Sequence, residues 1–402
     1  MRYTDAVMDR LSLQGDPFAD ETVATLLERG EMAGFNGMMR WFQQSGQALP
    51  EGLPPAARDY LEATARPPKW VDWGTIEDAR LFFIDNNVHI STALAFASMP
   101  LSYAIPRVAR LLTLTHSLEY PSRRMAETGQ FTVYLMQPDA FEAGGRFVPA
   151  AQKVRLLHAG IRHHLRAGDR WDEVADGVPL SQEDMIGGQV TFSLAVLDAL
   201  DRLGVHMSTR GAEAYYYAWR VVGAMLGCDV DSAPADLTEA RAYLDSYMVR
   251  GLGPSPEGVR LTQQLIALYE EVVPGRLLDP VVAATIRLLI GDTCADWLEV
   301  PRSAPWDTIA KFAPAALNAL ERLEDAGPWT EQITDRIGAL VARLELTALT
   351  HGRVMHYAIP EHLKSEYDVP PSKAARWTPP APSPTPAEPT DRYSPPPTVT
   401  VV

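Results

Sequence analysis

The chain has 402 residues, 46% of them hydrophobic, a formal net charge of -15 and a mean hydropathy of -0.12. That is enough apolar material for a large core, while the acidic balance repels a phosphate backbone, so nucleic acid is excluded as a partner. No stretch of 18 or more uncharged apolar residues occurs, which excludes an integral membrane segment of the helical kind. Only Cys228 and Cys294 are present, neither in a C-x-x-C pair, and the first twenty residues carry acids where a secretion signal needs an apolar run. A reducing, cytoplasmic location is expected.

In chain order, residues 1–66 read as an N-terminal helical extension. It carries two short helical patterns, ETVATLLERGEM and FNGMMRWFQQ, and then a proline-rich connection at Leu53 to Ala57. Residues 67–366 follow as one large helical domain. The 3.6-residue period predicts helices near 75–98, 103–113, 121–136, 149–166, 181–203, 209–227, 237–250, 257–273, 279–291, 307–324 and 330–350. Ser181 followed by Asp184 is a capping pattern for the helix that runs to Leu203, and Gly204 supplies its stop. Alternating strand patterns are scarce and no fixed repeat recurs, so the expected fold class is all-α, globular rather than a solenoid. From 367 to 402 the composition shifts: 11 of the chain's 33 prolines fall after residue 369. Such a tail has no apolar face to bury, and its partner, if it has one, is not written in its sequence.

The motifs of several large enzyme classes are missing: no phosphate loop, no dinucleotide fingerprint, no G-x-S-x-G and no H-E-x-x-H. His351 and His356 are five apart, about 140° round a helix, which points them away from a common metal. The most informative segment is KVRLLHAGIRHHLRAG at 153–168. On a helix it places Val154, Leu157, Ile161 and Leu165 on an apolar stripe, with Arg155, His158 and Arg162 along its edge. Those three either pair with acids and water, or wall a pocket in which arginines hold carboxylates and the histidine ligates a metal. In the next helix Gly187 and Gly188 interrupt a good helical pattern at a cost of about 0.5–1 kcal/mol each, which a close helix or a flat ligand would explain. The run RRMAET places Arg123, Arg124, Glu127 and Thr128 on adjacent turns. Tyr215, Tyr216, Tyr217, Trp219 and Arg220 crowd another helix, as core or as pocket lining.

Taken together, RRMAET at 123–128, KVRLLHAGIRHHL at 153–165, PLSQEDMIGGQVTFSLAVLDALDRLGVHMS at 179–208 and EAYYYAWRVVGAMLG at 213–227 resemble the catalytic domain shared by rubber oxygenase (latex-clearing protein) and the mycophenolic-acid oxygenase MpaB. The likeness covers roughly residues 75–290. It implies a globin-like helical core, a b-type haem iron, and oxidative cleavage of a carbon–carbon double bond of an isoprenoid chain by dioxygen. In the latex-clearing branch an arginine and, three residues on, a lysine precede a proximal histidine on the next helix. Arg155 matches the arginine, His158 stands where the lysine would be, and Gln189 stands where the proximal histidine would be. Because a glutamine amide is a poor iron ligand, His158 becomes the expected metal ligand, with His89 and His116 as alternatives and a haem-free protein binding an apolar ligand as the other reading. Arg155 and His158 are thus the expected catalytic groups. Arg155, Arg162, Gly188, Gln189 and Thr128 are the expected cofactor contacts. A small apolar unsaturated substrate and dioxygen are the expected partners.

Overall fold

The computed structural model describes residues 2–115, 121–168, 170–272 and 279–309. The Pro-rich segment, His116, His351, His356 and nearly all of the helices expected at 307–324 and 330–350 lie outside the described residues. The helices in chain order are α1 (Asp5–Ser12), α2 (Pro17–Glu28), α3 (Met32–Met39), α4 (Pro55–Ala63), α5 (Trp73–Ala93), α6 (Met99–Tyr103), α7 (Pro106–Leu114), α8 (Pro121–Leu135) and α9 (Phe147–Ala167). They continue with α10 (Glu173–Asp176), α11 (Gln182–Arg202), α12 (Thr209–Met225), α13 (Leu237–Gly251), α14 (Pro256–Val272), α15 (Asp279–Ile290) and α16 (Asp292–Trp297). No β-strand occurs among the described residues, and the fold is all-α.

Local chemistry explains most of the boundaries. Asp16, Asp72, Ser181, Ser208 and Asp236 each cap a helix by accepting a backbone N–H with the side chain, and Ser181 takes that of Asp184 as its spacing predicts. Gly204 follows α11 with φ +76°, the left-handed conformation that ends a helix cheaply only at glycine. The expected proline-rich connection at Leu53 to Ala57 instead opens α4, because Pro55 sits in the first turn, where its missing N–H is not needed. The helix expected to run unbroken over 75–98 ends at Ala93 and passes into a π turn, Leu94–Ser98. Tertiary bonds hold that widened turn: Ser98 Oγ donates to the Thr191 carbonyl (3.0 Å), and the Tyr269 hydroxyl donates to the Ala95 carbonyl (2.9 Å).

Helix α12 packs along α5, and α11 lies between α12 and α13. Their shared core holds Phe96, Phe131, Phe147, Tyr215, Trp219 and Tyr269. A second apolar cluster joins the N-terminal helices to α9: Ala19, Val23, Leu26, Phe35 and Tyr60 pack with Leu156 and Ala159. Each such fully buried large side chain contributes about 1.5–3 kcal/mol, so α2 is fastened to α9 by burial before any charge is counted. Helix α9 therefore has one flank in each cluster, and its polar residues are set at the junction. Among the described residues no single helix is long and apolar enough to cross a membrane.

Candidate active site

The polar residues of α9 divide between two surroundings. Arg155 reaches α2, where its Nε and one terminal amino group donate to the two oxygens of Asp16 at 2.5 and 2.8 Å. Arg162, two turns on, is only 1% exposed; its Nε donates to Asp20 at 2.7 Å and an amino group donates to the Leu180 carbonyl at 3.1 Å. The two pairs are joined, since the Asp16 N–H donates to the second oxygen of Asp20 at 3.1 Å. Burial pushes the Asp20 carboxyl up from its ordinary value, and the Arg162 charge opposes that shift. Leu180, held by Arg162, carries φ +50°, a left-handed conformation uncommon for a residue with a side chain. Gln182 extends the ladder to α12: its amide donates to the carbonyls of Gly15 and Gly227 and accepts from the Asp229 N–H.

His158 is half-buried on the α9 face that also carries Phe147, Ala151 and Val154, three residues packed in or against the main core. Helices α8 and α12 pack on α9, whereas Leu156 and Ala159, on another face of it, meet the N-terminal helices. His89, the alternative ligand, is exposed on α5. Thr128 is half-buried on α8, where its carbonyl accepts from the Thr132 hydroxyl at 3.1 Å. Arg123 and Arg124 lie on the same helix, but their side chains fall outside the described set.

On α11 the two adjacent glycines meet different surroundings. A side chain on Gly187 would lie 2.4 Å from the Tyr247 ring, so this glycine admits the close approach of α13. A side chain on half-buried Gly188 would meet nothing within 4 Å, so that face of α11 borders open space. Gln189, 5% exposed, turns toward Gly223 of α12, whose bare Cα leaves room for the amide. Both polar atoms of that amide are buried and, among the described residues, make no hydrogen bond. One turn on, Gly227 receives Arg155 and Asp16 in the same way. Gly223 in the last turn of α12 and Gly227 just beyond it thus receive Gln189 and Arg155 in turn, whereas Arg162 sits farther along α9 beside Leu180 and Met185. Phe192, one turn after Gly188, faces Trp219 with ring centroids 5.7 Å apart and supplies an aromatic wall.

The aromatic run of α12 divides as well. Tyr215, Tyr216 and Trp219 are core, whereas Tyr217 donates its hydroxyl to the Trp70 carbonyl and accepts the Asp72 N–H, with Arg220 over the Trp70 ring. Cys228 lies beside Gly223, near Asp16 and Arg155, and burial pushes its thiol up to about 12, so it is no thiolate at neutral pH. Among the described residues, no group of three or more His, Cys, Asp or Glu is arranged to hold a metal ion. Two participants were not singled out from sequence, Asp16 and Asp20. The D-P-F-A-D spelling marks Asp16 as a helix cap, but nothing local says that both acids face arginines 139 and 142 residues away.

The model of the catalytic domain described as that of the ER-bound oxygenase mpaB/B' and rubber oxygenase matches residues 88–321, a span that includes α8, α9, α11 and α12. The chain belongs to this family. It is an oxygenase, and hence an oxidoreductase. The rubber oxygenase of Streptomyces sp. (strain K30) is 26% identical to it over 348 residues, 86% of this chain and 85% of the relative. The solved structure of latex clearing protein LCP in the closed state superposes with a TM-score of 0.76 at 26% identity, covering 87% of this chain and 94% of that one. Both alignments reach well beyond the family's catalytic domain, so the oxygenase shares with them most of its helices as well as the site-bearing ones.

Proposed function

We propose that this oxygenase is haem-dependent and uses dioxygen to split a carbon–carbon double bond of an apolar, isoprenoid-like substrate. The observation that carries the reading is the unfilled polar and spatial capacity at Gly188 and Gln189. A half-buried glycine borders open space, and beside it lies a buried amide with neither of its polar atoms hydrogen-bonded. A buried amide left in that state costs about 1–3 kcal/mol, which a bound group with polar edges would relieve. One terminal amino group of Arg162 is likewise buried without an acceptor and would meet a cofactor carboxylate. These residues fit a flat macrocycle with acidic edges.

In this proposal His158 is the iron ligand, since an imidazole on the core face of α9 is the ligand type that haem iron takes. The haem supplies the redox chemistry with dioxygen. One dioxygen per double bond balances the reaction: each alkene carbon leaves as a carbonyl carbon, and no other reductant is consumed. Arg155, oriented by Asp16, keeps a positive charge at Gly227, four residues from the glycine that receives Gln189, and is the polar stabiliser. Gly188 and Thr128 border the cofactor, and Phe192 with Trp219 keeps the site apolar. The name of the Streptomyces relative gives rubber as what that protein acts on, and rubber is an unsaturated hydrocarbon chain of the kind proposed here.

The test is the absorption spectrum of the protein expressed with haem precursor, beside its His158→Ala variant. A Soret band lost in the variant is the expected outcome, and a band unchanged in the variant removes His158 as ligand. No band in either, with no uptake of added haemin, favours the haem-free reading. The engagement of both Arg155 and Arg162 with carboxylates is the observation on that side. Such a binder would retain a lipid-like molecule after His158→Ala.

A further inference from the structure

Trp70 and Trp73 stand at the entry to α5, 37% and 53% exposed. The Tyr217 hydroxyl ties that entry to α12, accepting the Asp72 N–H at 2.8 Å and donating to the Trp70 carbonyl at 3.1 Å. Both indoles are therefore carried on a fixed backbone. Each is braced edge-on by a second ring, Trp70 by Tyr217 with centroids 5.9 Å apart and Trp73 by Phe141 at 5.4 Å. Arg220, on the next turn of α12, lies 4.7 Å over the Trp70 ring. Its Nε is buried without a hydrogen-bond partner and, among the described residues, no carboxylate pairs with it. Buried Arg155 and Arg162, by contrast, each have an acid. Two braced aromatic pairs beside a cation with no acid make a surface that water serves poorly, and the packing of the core does not call for it.

We propose that this surface docks the chain's own Pro-rich segment, residues 378–390, with prolines on the indoles and Glu388 at Arg220. The segment reads TPPAPSPTPAEPT, with prolines at 379, 380, 382, 384, 386 and 389. Such a sequence is pre-set for the polyproline II helix, the conformation that aromatic-lined grooves recognise because little entropy is lost on binding. With three residues per turn, Pro379, Pro382 and Glu388 fall on one edge. Laying that edge down presents two prolines to rings and a carboxylate to a cation, which matches what the surface offers. Reach sets no limit. Pro379 follows Ile309, the last residue described, by 70 positions, and even a wholly helical path of that length spans about 105 Å at 1.5 Å per residue. Tethering makes the contact intramolecular, so a modest affinity fills the groove.

The test titrates a fluorescein-labelled peptide of residues 378–391 into two full-length chains and reads its anisotropy. One chain is native, and in the other the six prolines from 379 to 389 are replaced by alanine. The alanine-tail chain should bind the peptide about tenfold more tightly than the native chain, whose own segment competes for the groove. In the alanine-tail chain Trp73→Ala should weaken binding about tenfold. Arg220→Gln should weaken binding of the native peptide but not of a Glu388→Gln peptide, a pairing that general loss of structure does not reproduce. Equal affinity for the two chains overturns the proposal, since the tail then does not occupy the groove. So does an alanine-tail chain that binds no peptide, or binding that Trp73→Ala leaves unchanged. A native chain that sediments as a dimer, and becomes a monomer with the alanine tail, overturns it in favour of a second copy's segment. Should the substituted chains fail to fold, photocrosslinking from benzoylphenylalanine at position 385 of the otherwise native chain decides. Adducts are expected on peptides that contain Trp70, Trp73 or Tyr217, and adducts confined elsewhere overturn the proposal. None of these measurements needs haem or dioxygen, so their failure leaves the oxygenase reading standing, and a missing Soret band leaves the docking surface standing.

Discussion

The two sides of α9 treat charge in opposite ways. Toward α2, Arg155 and Arg162 are each matched by a carboxylate, and the two pairs are joined through Asp16 and Asp20. On the other side Lys153 is buried and, among the described residues, no carboxylate pairs with it, and on α11 the Gln189 amide is buried with no hydrogen bond to any of them. A matched buried group has a structural explanation already: it fixes where α2 lies on α9. An unmatched one carries a standing cost that packing alone does not require, and a site for something else explains it. Polar residues that sequence places side by side on one helix therefore separate into those that already hold a carboxylate partner and those that do not.

Breaking the matched side has the largest expected effect. Arg155→Met leaves Asp16 as a buried carboxylate without its cation, and such a loss costs about 3–5 kcal/mol. Asp16→Leu does the same to Arg155, whereas the double variant, with neither charge, should recover much of the loss. Urea unfolding of the four proteins measures it; additive single effects would show that the pair is not coupled. On the unmatched side the sign reverses. Lys153→Met removes a charge that the fold penalises, and should stabilise the protein at neutral pH by about 3 kcal/mol, from the depression of a 10.5 group to about 8. The penalty is fully present below pH 8, where the folded chain must hold a buried ammonium. It is relieved as pH rises toward 10.5, because there the unfolded chain binds the extra proton. The variant's advantage should therefore shrink above pH 8, and a gain constant from pH 6 to 10 would mean that Lys153 is not desolvated in the folded state.

How much of this was legible in the sequence follows from the range of the interactions. Helices with their own caps, such as the one opened by Ser181 and closed by Gly204, could be read because the cap, the period and the stop all lie within a few residues. The π turn at Leu94–Ser98 could not, since the bonds that hold it come from Thr191 and Tyr269. The family resemblance rested on motifs in a fixed order, and the match over 88–321 bears it out. The α9 triad was visible as a pattern, but spacing cannot say that Arg155 and Arg162 answer to acids at positions 16 and 20. Lys153, two residues before Arg155, gave no signal, because a lysine at a helix edge is ordinarily solvated and only the packed fold shows that this one is not.

The adjacent glycines of α11 sharpen the comparison at smaller cost. Gly187→Ala drives a methyl to 2.4 Å from the Tyr247 ring, and such overpacking costs about 1–3 kcal/mol unless α13 shifts. Thermal melting reads that loss, and Tyr247→Leu in the same chain should return part of it by removing the opposing ring.

Gly188→Ala is the smallest perturbation and the most discriminating one. The new methyl meets nothing within 4 Å, so the folded chain without ligand should gain the roughly 0.8–1 kcal/mol by which alanine exceeds glycine inside a helix. If the open space beside α11 receives the haem, the same methyl intrudes on it, and haemin titration should give a weaker affinity or a shifted Soret maximum in a protein that melts higher. Stability and binding would then move in opposite directions, which a substitution acting through the fold alone does not produce. Higher melting with haemin affinity unchanged would put the cofactor elsewhere and leave Gly188 as a helical defect with no ligand to account for it.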